Sequence, residues 1–117
     1  MAYAFAGLQT ENLTPALARH LGVPVRYGAL IDSVAPGGPA ARAGLRGGNR
    51  EEQFQGEAVL VGGDVVVALA GRVVRSADDL VRIVTNTLRP GRSAVFRVVR
   101  AGSRRALTVR LAARVAR

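Results

Sequence analysis

Gly28-Ala-Leu-Ile-Asp-Ser-Val-Ala-Pro-Gly-Gly-Pro-Ala-Ala-Arg-Ala-Gly-Leu45 is the stretch whose reading decides the architecture. The apolar run from Gly28 to Val34 predicts a short strand, and Pro36-Gly37-Gly38 predicts a turn. Pro39 suits a first helical position, where its missing N–H had no intrahelical partner. Gly44 suits the position just past the helix, because glycine adopts positive φ without a side-chain clash. The stretch therefore reads as strand, turn and one turn of helix over Pro39 to Ala43, with Leu45 folding back as the apolar contact of the cap.

Two later stretches continue the pattern. Gly63-Asp-Val-Val-Val-Ala-Leu-Ala-Gly71 predicts a strand over Asp64 to Leu69, apolar enough for burial on both faces, and a turn at Ala70-Gly71-Arg72. Ser76-Ala-Asp-Asp-Leu80 opens the main helix, running from Ser76 to about Leu88 and stopped by Arg89-Pro90-Gly91. Ser76 is the N-cap, and Asp79 three residues on completes a capping box while its charge offsets the positive end of the helix dipole. Upstream, Phe5 to Glu11 predicts a strand, and Thr14 caps a short helix that has Pro15 at its first position and ends near Leu21 at Gly22. Downstream, Ala94 to Arg100 and Arg104 to Ala112 flank the turn Ala101-Gly102-Ser103, with Leu107, Val109 and Leu111 alternating against Thr108 and Arg110 as in a half-buried strand. Five or six strands and two or three short helices imply an α+β partly open barrel.

This order of pieces resembles a PDZ domain, and more narrowly the PDZ modules carried C-terminal to the catalytic domain of bacterial HtrA/Deg-type serine proteases; the likeness runs from about Phe5 to Leu111. It implies a PDZ-like partly open five- to six-stranded barrel capped by two or three short helices, with residues 1–117 as a single domain. The sequence departs from the simplest PDZ pattern between Leu45 and Gly63, where residues 46–61 intervene. Gly56-Glu57 can turn a small hairpin there between Arg50 to Gln55 and Ala58 to Val61. Two readings of this insertion stand: a tolerated surface loop, since added length costs little closure entropy, or an extra contact for a protease domain or partner with exposed Phe54 as its anchor.

The resemblance also implies a site. Phe5-Ala6-Gly7-Leu8 is similar to the apolar-Gly-apolar turn that precedes the binding strand of such modules, so the amides of Ala6, Gly7 and Leu8 are expected to meet a peptide's terminal carboxylate, with glycine permitting close approach. The peptide would add as a strand alongside Leu8-Gln9-Thr10-Glu11. Helical spacing places Ala77, Val81 and Val84 on one stripe, assigned to the groove; with Phe5 and Leu8 they form the expected pocket, while Leu80, Ile83 and Leu88 face the core. Ordinary packing of a first strand also accounts for Phe5 and Leu8 taken alone.

Composition narrows the classes. The 117 residues are 49% hydrophobic and hold no cysteine, which excludes a disulfide scaffold, thiol catalysis and cysteine-ligated zinc. No apolar run approaches a membrane span, and the amino terminus lacks a signal-peptide layout, so an export signal is expected upstream if the chain belongs to an exported protease. The net charge is +9, every basic residue is arginine, and no acid follows Asp79. The arginines read either as a phosphate-neutralising patch or as surface cations spread over both faces of a terminal hairpin; the second is favoured, because nucleic-acid modules interleave aromatics and only Phe96 is available.

Catalysis finds no footing. The sole histidine, His20, lies at a helix end where a cation suits the dipole. Ser76 is used as a cap and no serine sits in a Gly-x-Ser-x-Gly setting. Asp78 and Asp79 diverge by about 100° on the helix. The expected function is a non-enzymatic peptide-binding module of an HtrA-like protease, recruiting C-terminal or extended peptide ends by strand addition, extracytoplasmic or periplasmic by resemblance. The expectation includes no cofactor, no metal, no specific nucleic acid, no membrane insertion and a monomeric fragment. The alternatives are a PDZ-shaped scaffold whose closed groove contacts its own protease domain, and a weak polyanion binder through the arginine-rich hairpin.

Overall fold

Chain reversals in the computed structural model fall where the cap residues predict them; it describes residues 2–115, with side chains over residues 6–112. Thr14 has extended backbone and its hydroxyl accepts from the Leu17 amide at 3.2 Å, so α1 (Pro15–Leu21) starts there and ends at Gly22 with φ of +72°. The strand β3 (Gly28–Val34) and the helix α2 (Pro39–Ala43) follow with the boundaries the sequence predicts, and Gly44 closes α2 in the left-handed conformation. Further on come β6 (Val65–Leu69), the two-residue β7 (Arg72–Val73) and α3 (Ala77–Asn86), capped by the Ser76 hydroxyl accepting from the Asp79 amide at 3.1 Å.

The predicted first strand, Phe5 to Glu11, is two strands. β1 (Ala2–Phe5) and β2 (Leu8–Leu13) are separated at Ala6-Gly7, where Gly7 takes φ of +72°. A left-handed residue turns the strand direction, and glycine bears it without strain. The last predicted strand divides likewise: β8 (Ser93–Arg100) pairs with β9 (Ser103–Arg110), and β10 (Ala112–Val115) leaves that hairpin to pair antiparallel with β1. The main helix ends at Asn86 rather than Leu88, whose amide instead bonds back to the Ile83 carbonyl.

β2, β3, β6, β8 and β9 lie in that order in one open antiparallel sheet, with β7 beside β6. β2 is its edge. One face carries the main core, in which Phe96, Ile31, Val66, Leu69 and Val98 pack against Leu80 and Ile83 of α3 and Ala40 of α2. The other face carries a second core, where Leu13, Leu30, Val65 and Val99 meet α1 through Leu17 and Ala18. Residues of the 46–61 insertion cover this second core. β4 (Arg50–Phe54) and β5 (Glu57–Val61) form a hairpin whose turn is Gln55-Gly56, one residue earlier than the sequence reading.

Phe54 is not the exposed anchor that the contact reading of the insertion requires. It is half-buried against the second core, its ring centroid 5.0 Å from that of His20, and His20 Nε2 lies 3.1 Å from Glu52 Oε1. The hairpin therefore docks on α1 and spends its aromatic inward, because an edge pair of strands with Val59 and Val61 on one side has apolar surface to bury. Asp64, the residue before β6, is almost fully buried, held by Arg100 through two 2.7 Å bonds and by the Arg46 amide at 3.0 Å. Arg100 also donates to the Gly44 carbonyl at 2.7 Å, joining β6, β8 and the end of α2.

Candidate functional site

The geometry at Ala6-Gly7-Leu8 follows from two hydrogen bonds. The Ala6 carbonyl accepts from the Ala40 amide of α2 at 2.9 Å, and the Gly7 carbonyl accepts from the Ala35 amide after β3 at 2.9 Å. No peptide bond here is cis, so each amide points opposite to the carbonyl of its own peptide plane. The Gly7 N–H is thereby directed away from α2, and the Leu8 N–H away from β3. Successive amides around a left-handed residue form an anion-accepting concavity. The helix α2, one turn long, owes its place in the site to this tie.

β2 continues from that turn as a strand with one partner. It pairs with β3 from Leu8 opposite Val34 to Leu13 opposite Gly28, and no other described strand lies on its second side. α3 contacts β1, β2 and β3. Its start is fastened to β2 by Asn12, whose Oδ1 accepts from the Ala77 amide at 2.8 Å. Sequence reasoning passed over Asn12; an amide side chain just before the Leu13-Thr14 cap carries no signal that it reaches a helix 65 residues away.

The stripe on α3 divides as its spacing demands. Leu80 and Ile83 are buried in the main core and Leu88 packs against it, while Ala77 and Val84 are half-buried and Val81 is 58% exposed. Leu8 and Val84 pack against the same core from β2 and α3. Ala6 is buried, Thr10 half-buried, and Gln9 exposed, its amide oxygen 3.5 Å from the Ser33 hydroxyl. Leu8 and Val84 thus share one core, Ala77 is tied to Asn12 of β2, Val81 stands exposed on α3, and the hollow beside Gly7 and Leu8 is lined by Gln9, Ser33, Val34, Ala35 and Pro36. Phe5 ends β1 opposite Ala112, and its side chain lies outside the described residues.

The electrostatics of this edge are acidic on an arginine-rich chain. Glu11 of β2 is pushed up to about 7, first by burial, then by its hydrogen bond and charge interaction with Asp32 of β3, and then by the charge of Glu57. Burial also raises Asp32, its bond from Glu11 working in the opposite sense. The arginines concentrate elsewhere: Arg97, Arg104 and Arg105 edge a hollow with Val67, Ala68, Val98 and Ala106 on the far strands of the sheet. Among the described residues no group of three or more His, Cys, Asp or Glu side chains is arranged to hold a metal, and no helix is long and apolar enough to cross a membrane.

Set against known proteins, residues 5–111 match the PDZ domain family. The "Probable periplasmic serine endoprotease DegP-like" of Brucella suis biovar 1 (strain 1330) is 32% identical over 107 residues, which are 92% of this chain and 18% of that protein. The protein of the same description from Pseudomonas fulva (strain 12-X) is 32% identical over 103 residues, 88% of this chain and again 18% of its own length. This chain therefore spans under a fifth of these relatives. Among solved structures, "HtrA-type protease AlgW with decapeptide" superposes with a TM-score of 0.73 at 27% identity, covering 99% of this chain and 31% of that one. "Crystal Structure of the HtrA3 PDZ Domain Bound to a Phage-Derived Ligand (FGRWV)" superposes with a TM-score of 0.71, covering 97% of this chain and 89% of that one; at 21% identity it bears on the fold alone.

Proposed function

This chain belongs to the PDZ domain family, a non-catalytic kind of module, and from that premise we propose that it captures apolar peptide C-termini by strand addition to β2. The observation that carries the proposal is the anchoring of the Ala6 and Gly7 carbonyls on Ala40 and Ala35. It directs the Gly7 and Leu8 amides outward at the start of an open sheet edge. A terminal carboxylate would accept from these amides, the peptide backbone would pair along Leu8 to Glu11, and its last side chain would enter between Leu8, Val84 and Val81. We further propose that the parent protein is an exported HtrA-type serine protease, as the names of the relatives suggest, and that this domain recruits its substrates or regulators.

The energetics favour modest affinity. One buried apolar side chain contributes about 1.5–3 kcal/mol. Each charge-assisted bond to the carboxylate adds about 1.5–3 kcal/mol. Ordering a flexible peptide removes much of this, which sets the expected Kd at micromolar or weaker. The test is a peptide library with free C-termini, each member repeated as its C-terminal amide and titrated into the domain by calorimetry. Free acids with apolar ends should bind and amides should not; equal binding of both would remove the carboxylate from the account.

A further inference from the structure

We propose that Glu11 and Asp32 are positioning residues that hold one proton between them across a bulge, and that this shared proton sets the edge of β2 on which a peptide pairs. The inference rests on the groove reading above for its functional half only. Its structural half rests on register. Gln9 lies opposite Ser33 and Thr10 opposite Ile31, so Asp32 is an extra residue with no partner of its own on β2. Glu11, opposite Leu30, is the next residue along the binding edge. A bulge bends and twists the strand that it interrupts, so whatever fixes it also fixes the direction of the neighbouring edge.

Glu11 Oε1 and Asp32 Oδ1 are both shut off from solvent, and neither has a donor among the described residues. The register sets the two carboxyl groups on neighbouring positions of β2 and β3, where each perturbs the charge state of the other. Two acceptor-only oxygens cannot satisfy one another unless a proton sits between them. On a chain of net charge +9, neither forms an ion pair with an arginine among the described residues. The charged group facing the pair from the hairpin is Glu57, whose charge favours the protonated form. On β3 the bulge is backed by the Gly48 amide, which donates to the Asp32 carbonyl at 2.8 Å. The insertion thus touches the pair from two directions.

The pair titrates as a unit. With Glu11 as donor its folded value is about 7, above the ordinary 4.5. The folded state then keeps a proton that the unfolded chain has released, so this contribution to stability is complete below about 4.5 and is lost as pH rises through about 7. If only the protonated pair presents a straight edge, the fraction competent to bind drops about tenfold between pH 6 and pH 8, and apparent affinity drops with it.

The experiment has two readouts on the full chain. Carbon-13 NMR of the Glu11 carboxyl, followed with the amide shifts of Gln9 and Thr10, should give one transition near neutrality shared by carboxyl and amides. Affinity for an apolar-ended peptide, measured at pH 6 and pH 8, should weaken about tenfold in the native chain; Glu11→Gln, which keeps a donor without titrating, should give the same affinity at both. An ordinary acidic midpoint for Glu11, or a Glu11→Gln profile as steep as that of the native chain, would overturn the proposal. A peptide that binds at no pH refutes the groove reading instead; the carboxyl and amide transition then decides whether the pair sets the edge.

Discussion

Replacing Arg100 by methionine is expected to be the most damaging single change away from the peptide groove. Its guanidinium makes both contacts to the Asp64 carboxylate and the contact to the Gly44 carbonyl, and the two side chains are 15% and 1% exposed. Methionine keeps the apolar stem but leaves a carboxylate with only the Arg46 amide to hold it. Breaking a buried pair from one side costs about 3–5 kcal/mol, because the remaining charge has neither water nor partner. For a domain of this size that is a fall in Tm of about 12–20 °C. Removing both charges in Asp64→Leu/Arg100→Met should restore about 1–3 kcal/mol of the loss, leaving about 1 kcal/mol each for the abandoned Gly44 carbonyl and Arg46 amide. The assay is urea unfolding followed by circular dichroism, run as a double-mutant cycle, with a coupling of about 2 kcal/mol or more expected. A loss below about 1 kcal/mol for Arg100→Met, or a double mutant equal to the sum of the singles, would refute the reasoning. The tie also bears on binding, since Gly44 ends the helix whose Ala40 amide anchors the Ala6 carbonyl. The single mutant should therefore bind peptide more weakly even at temperatures where it is folded.

Val81→Glu should leave the unfolding curve nearly unchanged, because Val81 is 58% exposed, yet weaken peptide binding at least about tenfold by placing charge where an apolar side chain would sit; calorimetry and unfolding together check both halves. Gly7→Val puts a β-branched residue at φ of +72° and should cost about 1–3 kcal/mol of stability while disordering the two outward amides, so binding should fall more than that of any α3 variant. Asp79 lies below the usual carboxylate range, chiefly through the bond it accepts from the Arg75 amide and then through Arg82. Its contribution is present above the ordinary value and lost as pH falls through the depressed one, so Asp79→Asn should lower Tm at pH 7 and flatten the acid limb of the stability profile. Changing Arg104 and Arg105 together should leave peptide affinity unchanged at physiological salt; a loss there would favour the polyanion reading over the groove.

The caps, turns and helix stripe were legible in the sequence because they are local: Thr14, Pro15, Gly22, Pro39, Gly44 and Ser76 act on backbone within a few residues of themselves. The family resemblance rested on the order of those signals. Local chemistry likewise set apart Leu80 and Ile83 from Val81 by helical period alone. What the sequence misjudged is where long-range pairing overrides a plausible local choice. Phe5 to Glu11 has the composition of one strand, but β1 pairs with β10 and β2 with β3, and a single strand cannot serve two sheets without the turn at Gly7. Phe54 reads as exposed in a polar loop until α1 offers His20 and an apolar surface beneath it. Asp64, Arg100, Asn12, Glu11 and Asp32 are polar residues without a motif. Their roles depend on which groups meet across 21 to 65 residues of chain, and on burial that removes water as the alternative partner. Both are created only when the sheet closes over its two cores.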